Sequence, residues 1–119
     1  MANLSIIIGK TVEEKLYFRV RNESGRILLT SRDYSHFDKC INEIYAIQTY
    51  PNFEFEKVKI NNGHQYTILG SWGRAVGVSP EYHLATDMER DIQELKAGIG
   101  RAEVVDHSSA VRFFRPVRI

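Results

Sequence analysis

GRILLTSRDY at residues 25–34 and GRAVGVSPEY at residues 73–82 are two versions of one stretch, and this stretch decides the fold. Both read G-R-x-x-x-x-S-x-x-Y. The match continues in the same register at three pairs of apolar positions: Phe18 and Tyr66, Val20 and Ile68, and Ile44 and Ile92. Self-similarity at a constant period is the signature of a tandem repeat. We therefore expect one structural unit to occur twice.

The first copy predicts three strands, a helix and a fourth strand. β-Branched runs and apolar residues that alternate with polar ones are typical of strands. Gly25 closes a four-residue turn and can take the positive φ of a hairpin. Ser35 is predicted as the N-cap of the helix, whose apolar positions recur every three or four residues until Tyr50 and Pro51 end it. The predicted strands are residues 3–10, 16–21, 26–31 and 53–60.

The second copy repeats this plan. Its predicted strands are residues 65–69, 74–79 and 101–106, and its helix runs from about Leu84 to Ala97. Either His83 or Thr86 is the candidate cap of this helix, and Gly98 is the candidate residue after its end. The alternation of Phe53 and Phe55 is out of phase with that of Ala102 and Val104. Because a slip of one residue reverses the two faces of a strand, we expect a bulge or a shifted register there.

The repeat resembles the YegP-like family, small and mostly bacterial proteins of unknown function. The matching residues are 18–34 with Ile44, and 66–82 with Ile92. Family members usually carry an Asn-Gly turn and a small residue before the helical isoleucine, where this chain has Ser24-Gly25, Trp72-Gly73, Asn42-Glu43 and Arg90-Asp91. The resemblance implies an α+β fold: two tandem strand-strand-strand-helix-strand repeats in a single mainly antiparallel sheet, with terminal strands exchanged and both helices on one face. Apolar patterning alone predicts a compatible layer of helices on a sheet.

We expect one domain at residues 1–106, with repeats at about 4–58 and 53–106, followed by a tail at 107–119. The composition is 43% hydrophobic and 26% charged, which is typical of a soluble globular protein. A bilayer span needs about 20 apolar residues, and neither such a run nor a signal peptide is apparent. One cysteine forms no internal disulfide, so the expected location is cytoplasmic.

The net charge of +1 is unevenly distributed. Residues 107–119 contain three arginines and no acid, whereas the rest of the chain carries 13 basic and 15 acidic groups. Bulk charge therefore does not indicate a nucleic-acid binder.

The repeated polar residues invite a catalytic interpretation, since serine and tyrosine at a strand-to-helix corner can form a hydroxyl relay. Their duplication favours structure, because a reaction centre needs one constellation whereas a repeated fold needs each corner twice. We assign a structural role to Gly25, Arg26, Ser31, Tyr34 and Ile44, and to Gly73, Arg74, Ser79, Tyr82 and Ile92.

Other chemistry-bearing residues do not form a recognisable site. His36, His64, His83 and His107 show no metal-ligand spacing, and no acidic cluster or cysteine pair accompanies them. Cys40 lies in the apolar stripe of the first helix, as a buried small side chain would. We expect no catalytic residues, no metal and no cofactor.

The binding candidates are two arginines on the polar side of the second strand, the tryptophan of the second hairpin turn, and residues of the tail; the tryptophan and the tail are the features that the two copies do not share. The candidates are Arg19, Arg21, Trp72, Arg112, Phe113, Phe114, Arg115 and Arg118. We expect a non-catalytic binding or scaffold module that acts through the open sheet face and the tail, as a monomer rather than a dimer, on another protein and not on a membrane. The alternative is a single-stranded nucleic-acid (RNA) binder, because arginine with phenylalanine suits phosphate contact and base stacking. An enzyme is the third hypothesis.

Overall fold

The computed structural model describes residues 3–50 and 53–108. Seven strands and two helices follow one another in the predicted order, which confirms the strand-strand-strand-helix-strand pattern in both copies, with the fourth strand shared between them. The elements are β1 Ser5–Lys10, β2 Leu16–Arg21, β3 Ile27–Ser31, α1 Phe37–Thr49, β4 Glu54–Ile60, β5 Gly63–Leu69, β6 Ala75–Val78, α2 Ala85–Gly98 and β7 Glu103–Asp106. Short 3₁₀ turns lie at Ser71–Gly73 and Ile99–Arg101.

The strands form a single sheet in the order β4-β5-β6-β3-β2-β1-β7. All neighbours are antiparallel except β1 and β7, which are parallel. The strand that follows each helix lies beside the other repeat: β4 pairs with β5, and β7 pairs with β1. The mainly antiparallel sheet and the exchanged terminal strands therefore agree with the fold that the resemblance implies.

The two repeats meet where β3 runs antiparallel to β6. Only two pairs join these strands, Thr30 with Val78 and Ser31 with Gly77. A Cβ at Gly77 would lie 2.6 Å from the carbonyl oxygen of Thr30, so only glycine allows the strands to approach this closely. Because β3 and β6 are antiparallel, the hairpin turns that precede them lie at opposite ends of the sheet.

Both helices pack on one face of the sheet. Alternate strand residues such as Ile6, Phe18 and Ile68 face the helices and are buried, and Ile44 of α1 and Ile92 of α2 pack against them. The described residues leave the opposite face of the sheet without a covering element. No helix among them combines the length and apolar character that crossing a bilayer would need.

Element ends differ from the predictions in three places. The N-caps are His36 and Leu84, and neither helix has a side-chain cap, so the capping predictions are wrong. The backbone of Gly98 is right-handed and continues the helix into the second 3₁₀ turn. Gly25 and Gly73 do have positive φ values, 91° and 70°, as their hairpin turns require.

The strands that flank the helices carry the expected shift of register. Ser5 pairs with Arg21, and the repeat places Leu69 at the position equivalent to Arg21. The repeat makes Phe53 equivalent to Ser5, but the partner of Leu69 is the following residue, Glu54. Each β1 residue thus corresponds to a β4 residue one position later than the repeat predicts. This shift turns Phe55 toward the helices, where it contacts the ring of Tyr66.

Candidate functional site

The arginine of each repeat motif forms an ion pair with a buried carboxylate of the other repeat. Arg74 donates from Nη2 to both oxygens of Glu43, at 2.9 and 3.0 Å. Arg26 donates from Nη2 to Oδ1 of Asp91 at 2.5 Å. Glu43 of α1 and Asp91 of α2 occupy equivalent positions of the two copies, so the two ion pairs are related by the repeat.

The tyrosine of each motif binds the carboxylate of its own repeat. Tyr34 donates its hydroxyl to Glu43 at 3.2 Å, and Tyr82 donates to Asp91 at 2.8 Å. Burial raises the pKa of both tyrosines above their ordinary value, and the adjacent carboxylate raises the pKa of Tyr34 further. Each carboxylate is therefore held by a tyrosine of one repeat and an arginine of the other, which stabilises the contact between repeats.

The serine of each motif satisfies backbone groups where a strand ends. Ser31 Oγ accepts from the amide of Phe18 at 2.8 Å and donates to the carbonyl of Arg32 at 2.7 Å. Ser79 makes the same two bonds, to the amide of Tyr66 and the carbonyl of Pro80. With hydroxyls bound to the backbone, neither serine is presented to solvent as a nucleophile.

Glu43 and Asp91 are structural positions that the sequence-based predictions missed. The available signal was an acid at the same position of both copies, directly before the helical isoleucine. A buried acid needs a partner, and the motif arginines, whose structural role was predicted without a partner, were the candidates.

The remaining titratable candidates are Cys40 and the histidines. Cys40 is fully buried, and burial, with the nearby Asp106 and Glu43 carboxylates, raises its thiol pKa to about 11. Within residues 3–50 and 53–108, no three histidine, cysteine or acidic side chains are arranged to hold a metal ion.

On the uncovered face, one row of side chains crosses all seven strands. Arg19 of β2 lies in this row, between Ile7 of β1 and Thr30 of β3. The complete row is Val105, Ile7, Arg19, Thr30, Val78, Thr67 and Glu56. Most of its members are β-branched, so the face presents a shallow, largely uncharged surface with an arginine near its middle.

Arg19 rests on an aromatic ring. Its guanidinium carbon lies 5.3 Å from the ring centroid of Tyr17, and the Tyr17 ring lies over Gly9, where a Cβ would come within 2.7 Å of it. Arg19 forms no ion pair with an acid of the described residues, and its Nε is buried there without a hydrogen-bond acceptor. The second repeat has Thr67 and Gln65 at the equivalent positions, so this arrangement occurs once.

The structure places Arg21 on the same face as Arg19 but Trp72 elsewhere. Arg21 pairs with Ser5, and its side chain is exposed. Trp72 is 98% exposed with a positive φ of 64°, in the second hairpin turn at the opposite end of the sheet from the first. Trp72 therefore does not join the two arginines in one site.

Trp72 instead borders a cleft between the second hairpin turn and the end of α1. The cleft has a volume of about 540 Å³, and Glu43 and Arg74 contribute to its lining. Tyr50 and Phe53 are the other aromatic side chains that line it. The corresponding residues of the other repeat are Ser24, Gly98 and Arg101, so the aromatic lining also occurs once. The tail candidates Arg112, Phe113, Phe114, Arg115 and Arg118 lie outside the described residues.

Comparison with solved structures finds this fold in two proteins. A UPF0339 protein from Shewanella oneidensis matches with a TM-score of 0.79 and 17% identity, over 89% of this chain and 92% of that one. YegP from E. coli, a protein of unknown function, matches with a TM-score of 0.78 and 18% identity, over 91% of this chain and 96% of that one. No family model matches the sequence, and no curated protein does. The resemblance seen in the repeat motif is thus confirmed in three dimensions, and the chain has the YegP-like fold.

Proposed function

We propose that this protein is a non-catalytic binding module that docks another protein on its uncovered sheet face, with Arg19 as the central contact. The proposal rests on the Arg19 guanidinium. This group is half-buried on Tyr17, and no described residue accepts a hydrogen bond from its Nε. An unsatisfied buried donor costs about 1–3 kcal/mol. A partner carboxylate on this face would pair with the guanidinium and neutralise its charge.

The repeat supports a binding role for this side chain. Side chains that hold the fold occur in both copies, as the two arginine–carboxylate pairs do. Arg19 and Tyr17 are replaced by Thr67 and Gln65 in the second copy, so the fold itself does not require them. The surrounding row offers β-branched side chains at the centre of the face, where a partner's apolar residues can pack.

The test is affinity purification from the native cell with charge-reversed variants. Arg19→Glu should lose a specific partner that both the unaltered protein and Lys39→Glu retain. Lys39 is a matched control, because it is an exposed cation on α1, in the layer opposite the sheet face. With the purified partner, Arg19→Glu should weaken binding at least about tenfold, which corresponds to about 1.4 kcal/mol. Equal retention by the two variants would contradict the proposal.

Two further variants separate the other contact candidates. Removal of residues 109–119 tests the tail, and Trp72→Ser copies the residue of the first repeat into the second hairpin turn. Loss of the partner with either variant, and not with Arg19→Glu, would move the binding site away from the sheet face. If an RNA oligonucleotide binds instead, with an affinity that falls steeply as salt rises, the partner class is wrong.

A further inference from the structure

The two ends of the sheet, whose edge strands are β7 and β4, are not equivalent. In the first repeat, the outer side of β1 is covered by β7, which pairs in parallel from Ser5 with Glu103 to Ile8 with Asp106. In the second repeat, the corresponding strand β4 pairs with β5 alone among the described strands. No described strand therefore pairs with the outer backbone groups of β4.

The pairing of β7 with β1 shows how a strand would sit on β4. The carbonyls of Leu4 and Ile8 accept hydrogen bonds from the amides of Glu103 and His107, at 3.2 and 2.9 Å. Since Ser5 of β1 corresponds to Glu54 of β4, the equivalent outward carbonyls belong to Phe53 and Lys57. By the same correspondence, Phe55 takes the place of Ile6, which lies beside Val104 on the helix side.

A groove lies where the side chains of an added strand would enter. It runs between β4 and α2, has a volume of about 430 Å³, and is lined by Phe53, Phe55 and Ile92 as its apolar members. Its polar lining is Glu54, Lys57, Glu89, Gln93 and Lys96. Lys57 pairs with Glu89 at 2.7 Å, whereas Lys96 lies 5.4 Å from the Phe55 ring centroid and pairs with no acid of the described residues.

We propose that the outer edge of β4 receives an extended segment of another protein as a parallel eighth strand. An apolar side chain of this segment lies beside Phe55 in the groove, and an acidic side chain meets Lys96. The chain's own β7 has this chemistry, since Glu103 and Asp106 flank Val104 and Val105. Main-chain hydrogen bonds provide the affinity in such strand addition, and pockets for alternate side chains provide the specificity.

This site goes beyond the proposed function, because it uses the edge and the helix side of the sheet rather than the uncovered face.

The lysines of β4 are consistent with an acidic partner segment. Charged edge residues such as Lys57 and Lys59 prevent indiscriminate pairing between sheets. They remain compatible with an acidic segment, which restricts the edge to one class of partner.

The experiment titrates isotope-labelled full-length protein with a peptide of residues 101–108, RAEVVDHS, and follows backbone amides by NMR. We expect shifts confined to β4 and to the face of α2 near Lys96, with a Kd of about 1 mM or tighter. A peptide with Val104→Asp should not bind, because a carboxylate would enter the apolar groove. Arg19→Glu protein should bind as the unaltered protein does, which separates this site from the sheet face.

Three protein variants, one of them a control, locate the site. Lys57→Pro removes a backbone donor on the outer side of β4 and should weaken binding at least about tenfold. Lys59→Pro is the control, because Lys59 corresponds to Lys10, which lies beyond the part of β1 that β7 pairs with. The Lys59→Pro variant should bind as the unaltered protein does. Gln93→Trp fills the groove without altering a strand and should weaken binding equally, which keeps the test valid if a proline variant unfolds. Shifts at β1, no binding at about 1 mM, or a dimer whose β4 is already covered by a second copy would each overturn the proposal.

Discussion

Asp91 is a carboxylate with no solvent exposure, and it depends on groups from both halves of the chain. Its partner Arg26 is 47% exposed and so retains much of its hydration. Loss of Arg26 should therefore reduce stability more than loss of Asp91. The reason is that a buried charge without a partner is far less stable than an unpaired charge at the surface.

Replacing Arg26 with methionine should lower the free energy of unfolding by about 2–4 kcal/mol, since among the described residues Asp91 then keeps Tyr82 and the more distant Arg90. Asp91→Asn should cost less, about 1–2 kcal/mol, because Arg26 can be solvated. Urea denaturation measures both values. Arg21→Met, which removes an exposed arginine, should change stability by no more than about 0.5 kcal/mol. A larger loss for Asp91→Asn than for Arg26→Met would contradict this account.

Cys40 should make stability sensitive to alkaline pH. Its thiol pKa rises from the ordinary 9.0 to about 11 in the folded protein. Folding therefore favours the neutral thiol, and this contribution is fully present below pH 9 and is lost as the pH rises toward 11. Cys40→Ala should show a smaller decrease in stability across that interval in urea titrations at fixed pH. Identical pH dependence in the two proteins would show that the thiol is not responsible.

At the scale of elements, the seam between β3 and β6 is a tightly constrained contact of the sheet. Two residue pairs connect the repeats there, and Gly77 lies against the backbone of Thr30. Backbone cannot move aside without separating the strands. Gly9 is equally crowded, but its neighbour is the end of the Tyr17 side chain, which can rotate.

Gly77→Ala should therefore destabilise the protein by about 3 kcal/mol or more, whereas the matched Gly9→Ala should cost about 1 kcal/mol or less. Thermal and urea unfolding provide the comparison. If the two substitutions have equal effects, the close approach of β3 and β6 does not limit the fold.

At the scale of the whole molecule, the exchange of terminal strands makes the two repeats interdependent. β4 lies beside the second repeat and β7 beside the first, and each buried carboxylate receives an arginine from the opposite copy. Neither repeat holds all of its own strand partners or ion pairs.

A fragment of residues 1–60 should consequently be unfolded by far-UV circular dichroism, because β4 lacks β5 and Glu43 lacks Arg74. Mixing it with a fragment of residues 61–119 should restore helical signal. Cooperative unfolding of the first fragment alone would show that one repeat is sufficient for folding.

Element type was predictable because strand and helix patterns are short-range properties. Alternation along β2 and the apolar stripe of α1 identified their type and their buried faces. The helix starts were mispredicted, because Ser35 and Thr86 are good caps by type and yet packing begins the helices at Phe37 and Ala85 without a side-chain cap. The role of the motif arginines was not predictable in the same way, since Arg74 and Arg26 meet acids that are distant in the sequence and belong to the other repeat.

The sequence by itself determined that one unit occurs twice, in which order its elements follow, and which of their faces are apolar. These properties depend on side-chain periodicity over a few residues, and the second copy repeats the observation independently. Only the tertiary structure decided the strand order, the pairing of each arginine with a carboxylate of the other repeat, and the open outer edge of β4. Such contacts join distant parts of the chain, and they are selected by the packing of the whole sheet against both helices rather than by any local pattern.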